Sequence, residues 1–541
     1  MSRVWSWLFV SCVPSAVDSA LVEASDTGGA PVPVEAPAIG ELELGEEVLC
    51  ADPVAGFDRL ADETEARGLA VELEGQAGSN LAGGVAASDL DADGDVDLVF
   101  GAKTTLPRVF ENDGRGDFHE VGGGVDVTAA LNGMVLTAFG VADLDQDGLP
   151  DLVLVGIDAF AVAWNVGDLG FSAPETLWAR DTWPRAIRGT FSLGDVDGDG
   201  DLDVAMAGVA TVTDSHGAEE YGAAEAVLRQ EGGTWTLSDE LTPAGEPGIS
   251  VTVLLTDRDG DGDPDLLALS DIGPPTGEAQ PNAFYRNDGG VFTNDADELG
   301  LGFVMAAMGV VTGDWNEDGG LDYCVSDLGP LRCFLSDAAG WYDAGHTMGL
   351  LADHAEVPHE WSGWGLAVED LDNDGFVDVA AAGGAALGGE ALAGSYADGL
   401  WRGTGPMSFE SATPAAFADT TDHYGLVAVD LDGDGYLEVV TSGSGAPRVW
   451  WNRCGEGAWV EVLVEGEPPN REAWGARVVV RWDGGSATRE VQNLRSMAQA
   501  SRWVHVGLGE ADEVELEVTW PDGRSASFEG VPVRRRVVVR R

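Results

Sequence analysis

Thirteen residues, DLDADGDVDLVFG at 89–101, return in recognisable form six more times, and no other feature limits the fold as tightly. The later copies are DLDQDGLPDLVLVG from Asp143, DVDGDGDLDVAMAG from Asp195, DRDGDGDPDLLALS from Asp257, DWNEDGGLDYCVSD from Asp314, DLDNDGFVDVAAAG from Asp370 and DLDGDGYLEVVTSG from Asp430. Their first aspartates lie 52 to 62 residues apart, so a whole structural unit is repeated rather than a short motif scattered. Each unit runs from a small-residue stretch such as GVAAS through the acidic loop to an apolar run such as VDLVFG. A segment like RVFEND, a Gly-rich turn and an aromatic segment like DFHEV follow. That grammar reads as four short strands with turns between them and no helical period. Seven such units predict an all-β chain built as a seven-bladed β-propeller, in which each blade covers its neighbour's apolar face and no long edge stays open.

The ends of the array point to closure. Interior units finish with pieces such as VFTNDADELGLG (291–302) and GWYDAGHTMGL (340–350), whereas the last stops at PRVWWNRC (447–454). The missing counterpart, GFDRLADETEARGL (56–69), precedes the first unit, so it is expected to supply the outer strand of blade seven. The propeller then spans 50–454, and a small C-terminal β-domain with alternating VVVRW, VELEVTW and RRRVVVRR segments spans 455–541.

Each loop follows D-x-[DN]-x-D-G-x-x-[DE]. Positions 1, 3, 5 and 9 offer side-chain oxygens, position 7 a backbone carbonyl, and Gly at position 6 allows the sharp turn that gathers them. The expected ligands are Asp89, Asp91, Asp93, Asp95 and Asp97 in loop one, and Asp143, Asp145, Asp147, Leu149 and Asp151 in loop two. Loops three and four offer Asp195, Asp197, Asp199, Asp201 and Asp203, then Asp257, Asp259, Asp261, Asp263 and Asp265. Loop five offers Asp314, Asn316, Asp318, Gly320 and Asp322, and loop six Asp370, Asp372, Asp374, Phe376 and Asp378. Loop seven offers Asp430, Asp432, Asp434, Tyr436 and Glu438. A hard cation that takes about six to eight oxygens suits this set, so up to seven Ca2+ ions are expected. No Cys or His stands in register for zinc. An EF-hand would need an acid at position 12, where this chain has Phe100, Leu154, Met206, Ala268, Val325, Ala381 and Thr441. The expected role is structural: the metal removes like-charge repulsion and holds the blade turn.

Acidic residues number 95 against 28 basic ones, a formal charge of −67, which excludes a nucleic-acid backbone as partner and favours cations. The N-terminus, MSRVWSWLFVSC, carries one Arg, an apolar run from Val4 to Val10, and Ser11-Cys12. Three readings stay open for residues 1–12: a bacterial lipoprotein signal with Cys12 lipidated, an ordinary export signal, or a mis-assigned start. Either signal implies an exported protein, at the cell surface or outer membrane as a lipoprotein, or secreted or periplasmic. A membrane enters only through that lipid anchor. Residues 13–49, acidic and rich in Ala and Pro, read as a tether. Cys324 and Cys333 flank a turn centred on Leu328-Gly329 and would meet across a hairpin, while Cys50 and Cys454 flank the propeller seam. Both pairs are disulfide candidates, with buried free thiols the other reading, and Cys12 is left over.

The units resemble FG-GAP/VCBS repeats of the kind found in integrin α-subunit propellers. Gly475-Ala476-Arg477, the run His505 to Gly509 (HVGLG), and Trp520-Pro521-Asp522-Gly523 are similar to the signature of the ASPIC/UnbV domain. Propeller plus this domain resembles the layout of the cartilage acidic protein family, over roughly residues 55 to 541. The resemblance implies an extracellular calcium-binding protein, with adhesion or matrix binding inferred for some members, and no reaction.

The acidic loops join strands one and two, so they crowd one face and leave the other free to vary. Long connections at 207–226 and 382–400 fall there, and 4–1 connections add Trp178, Trp183, Trp361 and Trp364. These aromatics suit a glycan or protein ligand, or else pack between blades. Arg115-Gly116-Asp117 occupies a turn that other units fill with unrelated residues, so its likeness to an integrin-recognition triplet reads as chance. No nucleophile elbow or phosphate loop is present, and HAEVPHE (354–360) lacks the helical zinc spacing. The expected function is non-catalytic binding or adhesion, and the alternative is a polysaccharide lyase or hydrolase on a calcium-stabilised propeller.

Overall fold

Seven sheets, among the described residues, each carry one acidic turn between their first two strands. The second, for example, runs Ala138–Ala142, Asp151–Val155, Ala159–Ala163 and Glu175–Ala179 as an antiparallel meander. The computed structural model describes residues 40–541, apart from 55–58, 74–83, 103, 123–125, 132, 134–135, 213–218, 243–247, 272–280, 328, 351–361, 385–396, 414–416, 418–420, 444 and 494–497. The expected export signal with Cys12, Trp361, and most of the expected tether lie outside the described residues.

Burial explains the sequence pattern. Asp151–Val155 and Ala159–Ala163 are buried at every position because another sheet lies on each face, and strands covered on both sides read as continuous apolar runs. The outer strand Thr234–Leu241 faces solvent on one side and buries only Trp235. An apolar cluster joins each sheet to the next, as where Val99 of sheet one meets Leu152 and Leu154 of sheet two. The last sheet packs on the first in the same way, with Val440 and Trp451 against Leu98 and Phe110. The chain is thus all-β and propeller-like; one short helix, Ala296–Leu299, is described.

The seam lies at sheet seven. Its strands His423–Val429, Glu438–Gly443 and Arg448–Asn452 come from one end of the array, and the fourth, Leu60–Asp62, comes from before the first unit. Leu60 stands opposite Asn452 in antiparallel register. A disulfide between Cys50 and Cys454 (Cα–Cα 5.7 Å) crosses beside it, and the Val54 N–H donates to the Cys454 carbonyl at 3.0 Å. In sheet five Cys324 stands directly opposite Cys333, and the two are bonded. No helix among the described residues is long and apolar enough to cross a membrane. Two disulfides mark an oxidising compartment, extracellular or periplasmic.

The C-terminal region forms two four-stranded sheets around a shared core of Val460, Val462, Val478, Leu516, Val518, Trp520 and Val537. Two departures from the sequence reading arise here. Residues Glu41–Leu44, expected to belong to a tether, form an edge strand against Arg535–Arg540. The cause is complementary charge with one apolar anchor: Glu43 pairs with Arg540, and Leu42 packs on the domain core. Ala498–Gln499 also leave the C-terminal domain to add a parallel strand to sheet one, beside Val85 and Ala86.

Candidate metal centres on the acidic turns

The seven acidic turns share one backbone geometry. The position-6 glycine has φ between +81° and +101° in every copy, a left-handed conformation that a side chain would strain. Its N–H donates to the first aspartate, at 3.1 Å from Gly94 to Asp89, 3.0 Å from Gly148 to Asp143 and 2.7 Å from Gly375 to Asp370. The position-7 N–H donates to the fifth side chain, as from Leu149 to Asp147 (3.0 Å), Phe376 to Asp374 (3.0 Å) and Tyr436 to Asp434 (2.9 Å). Its carbonyl is held in place by that bond.

The ninth acid does more than the spacing revealed. Asp97 accepts from the Leu90 N–H with one oxygen (3.0 Å) and from the Asn112 N–H with the other (2.9 Å), so it ties the turn to the third strand. The tie to strand three recurs through Asn165 to Asp151, Gln230 to Asp203, Asn287 to Asp265, Ser336 to Asp322, Gly403 to Asp378 and Asn452 to Glu438. In loop four the Arg258 guanidinium reaches the second oxygen of Asp265 at 3.1 Å. Asn316, the one amide among the position-3 residues, donates from Nδ2 to the Ser336 carbonyl and accepts the Asp318 N–H.

The donor set fits a calcium ion. Carboxylate oxygens of Asp89, Asp91 and Asp97 lie within 4.8 Å of one another, as do those of Asp143, Asp145 and Asp151. The same holds for Asp195, Asp197 and Asp199, for Asp257, Asp259 and Asp261, and for Asp370, Asp372 and Asp374. In four of these loops the Oδ1 atoms of Asp91, Asp95, Asp143, Asp197 and Asp372 are buried without a hydrogen-bond partner. A buried anionic oxygen with no donor is costly, and a cation is the partner this cluster lacks. Burial first, and the charge of neighbouring aspartates with it, raises the carboxyls of Asp91, Asp95, Asp143 and Asp372. Burial pushes Asp97 up to about 8 and Asp151, Asp203 and Asp265 to about 7, and backbone N–H donors oppose it.

The C-terminal domain rests on this face. Glu472 accepts the Asp143 N–H at 2.9 Å, and Glu490 accepts the Asp257 N–H at 2.9 Å and the Thr256 hydroxyl at 2.7 Å. The Asp314 N–H donates to the Thr488 carbonyl at 3.1 Å, and His505 meets Asn373 at 2.8 Å. Arg536 bridges Glu461 (2.8 Å) and Asp430 (3.4 Å), so this terminal arginine links the two domains. Of these partners only His505 sits in a signature run, HVGLG, and for the others only their acid or base character on a β-domain hinted at the contact.

The four aromatics expected at a ligand face part company. Trp178 lies not in a connection but in the fourth strand of sheet two, half-buried against the core shared with sheet three, while Trp183 is half-buried in the connection with Arg185 over its ring at 4.6 Å. Trp364 is not available to a ligand: it is fully buried between sheets six and seven, edge-on to Tyr424 at 5.0 Å. Its place in the first strand of sheet six, rather than in the connection before it, is the reason. The RGD triplet serves its turn, with Gly116 packed against the Trp451 indole and Arg67 bonded to the Arg115 carbonyl.

Comparison with known proteins agrees with this architecture. Residues 89–154, 143–206, 257–325 and 390–441 match the FG-GAP-like repeat, and residues 466–541 match the ASPIC and UnbV domain. No curated protein matches the sequence. Solved structures with some likeness include an Agrocybe aegerita lectin that recognises non-reducing terminal N-acetylglucosamine. It is 18% identical over 68% of this chain and 94% of its own, with a TM-score of 0.41. A rhamnogalacturonan lyase from Bacillus licheniformis is 14% identical over 84% of this chain and 91% of its own, TM-score 0.35. Saccharomyces cerevisiae Sqt1 is 8% identical over 72% and 99%, TM-score 0.41. At such scores the likeness says nothing of ligand or activity.

Proposed function

We propose that this is an exported, calcium-loaded, non-catalytic binding or adhesion protein. Its FG-GAP-like units form a seven-bladed propeller over 50–454, joined to an ASPIC/UnbV domain over 455–541 in the layout of the cartilage acidic protein family. The buried, unpartnered oxygens of Asp91, Asp95, Asp143, Asp197 and Asp372 carry the reading, because repeated acidic turns of one geometry have no other charge partner at those atoms. Positions 1, 3, 5 and 9 with the position-7 carbonyl would hold the metal, and calcium supplies charge neutralisation there. At free calcium ten times Kd, each site adds about 1.4 kcal/mol of stability. The ligand is an extracellular glycan or protein, taken on the face away from the acidic turns, where Trp183 lies. The export signal sets whether the protein stays at the cell surface or is released.

A carbohydrate-active enzyme gains no support from the described residues, where the His423–Asp398 pair is wholly buried. Calorimetric titration of chelated protein should show uptake of several calcium ions and a rise in melting temperature. Glycan arrays should show binding without product. A melting temperature unmoved by calcium, with no uptake, overturns the reading.

A further inference from the structure

We propose that the Arg402 guanidinium serves turn six as a built-in cation, so that calcium enters this turn last and only by displacing it. The proposal rests on the calcium part of the preceding reading and makes the seven turns unequal.

One strand position sets the difference. The ninth acid of each turn accepts an N–H from the third strand, and the residue just before that donor varies in charge from sheet to sheet. It is apolar or aromatic in three sheets and is Glu111, Arg229, Arg286 and Arg402 in the other four. Arg402 brings Nη2 to Asp372 Oδ2 at 2.9 Å and to Asp374 Oδ2 at 2.8 Å, which are positions 3 and 5 of turn six. The Asp372 side chain is 4% exposed, so solvent does not screen this contact as it screens a surface ion pair.

The other charged residues do not do this. Arg229 touches only position 3 of its turn, Asp197 at 3.3 Å, and donates a shorter bond to the Gly290 carbonyl at 2.6 Å. Arg286 pairs with Asp288 and Asp295 instead, and Glu111, of opposite sign, meets His119. Arg258 approaches turn four from position 2. Its Nε donates to the Asp265 oxygen that matches the one in Asp97 accepting the Leu90 N–H, and it meets Asp259 at 3.3 Å. Among the described residues, turn six alone has a guanidinium shared between positions 3 and 5.

Calcium and guanidinium then compete for the same carboxylates. Calcium carries twice the charge and takes more oxygens, so it prevails once its concentration is high enough. The two charge-assisted bonds it must break weaken its binding about tenfold. Arg402 is 38% exposed and can leave toward solvent, and Asp372 Oδ1, buried without a hydrogen-bond partner, keeps the turn able to take the metal. Turn six also carries a docking contact, since Asn373 meets His505 at 2.8 Å and its carbonyl accepts the Gly509 N–H at 3.1 Å. With Arg402 in place, that contact keeps its turn folded when calcium is scarce.

The test is equilibrium dialysis of the full-length protein, freed of metal, against radioactive calcium over a range of free concentrations. The last ion should enter the wild type at about tenfold higher free calcium than the others, and Arg402→Gln should lower that requirement about tenfold. Arg402→Lys keeps the charge and should lower it less. In chelator Arg402→Gln should melt below the wild type, and in saturating calcium the two should melt together. An arginine that only packed would be missed equally in both conditions. An unmoved last step, loss of an ion in Arg402→Gln, an equal drop in melting temperature with and without calcium, or as large a shift with Arg286→Gln would each overturn the proposal. Uptake by the other turns with an unmoved last step leaves the calcium reading standing, whereas no uptake at all sinks both.

Discussion

Asn165 stands two residues past the third strand of sheet two, Ala159–Ala163, and its side chain does something its place in the sequence does not announce. Its Nδ2 donates to the Pro150 carbonyl at 3.0 Å and to the Leu90 carbonyl of the preceding sheet at 2.7 Å. Asn112, Asn287 and Asn452 repeat the bridge, to Leu431, Val196 and Leu371 respectively. The Asn112 bridge runs from sheet one to sheet seven and so helps hold the two ends of the array together. The recurring asparagine was visible in RVFEND, AFYRND and RVWWNR, but a buried amide that crosses between units leaves no periodic trace. Sheets three, five and six place Gln230, Ser336 and Gly403 at the equivalent strand position. Asn165→Ala strips two buried carbonyls of their donor, which should cost about 1–3 kcal/mol. Chemical denaturation of the calcium-loaded protein measures it, and a change within error would mean water replaces the amide.

The acidic turn was the most legible element, because seven copies 52 to 62 residues apart fix the turn glycine, the positions of the acids and the strands on either side. What the spacing could not separate was the two jobs of its acids. Asp145 accepts only the Asp147 N–H of its own turn (3.2 Å), whereas Asp151 accepts the Leu144 and Asn165 amides and so ties the turn to the third strand. Asp145→Asn should therefore weaken calcium binding with little effect on chelated protein. Asp151→Asn should cost about 1–3 kcal/mol with or without metal, since one accepting oxygen becomes a donor. Denaturation of each variant in calcium and in chelator distinguishes these outcomes. The same turns set the pH response. Asp322 lies at about 6, Asp151, Asp203 and Asp265 at about 7 and Asp97 at about 8, each raised chiefly by burial. Without metal the native state then binds more protons than the unfolded chain between roughly pH 4 and pH 8, so its stability falls as pH rises through that window. Calcium needs the ionised carboxylates and reverses the slope. Melting curves across the window in chelator and in calcium should cross, and parallel curves would refute the assignment.

At the scale of the whole molecule, the sequence made the repeat, the seam and the C-terminal domain legible, but not where that domain sits. The contact with the acidic face was hidden because Glu472, Glu490, Thr488 and Arg536 lie in ordinary strand and loop sequence, and His505 in a signature run that names no partner. Their meaning depends on the turn each one meets. Glu490 is buried and accepts from the first residue of loop four, and Arg536 neutralises both Asp430 and Glu461. Calcium bound at these turns would neutralise carboxylates that otherwise repel Glu461, Glu472 and Glu490, so on the proposed function metal loading and domain docking should stabilise each other. Hydrogen exchange tests the coupling directly. Chelation should speed exchange of the Asp143, Asp257 and Asp314 amides, which the docked domain protects, and Glu490→Ala in calcium should do so at Asp257 while leaving Asp143 protected. Equal protection of all three amides with and without calcium would mean that the domain is held by its apolar and strand contacts alone, and that the metal acts only within each turn.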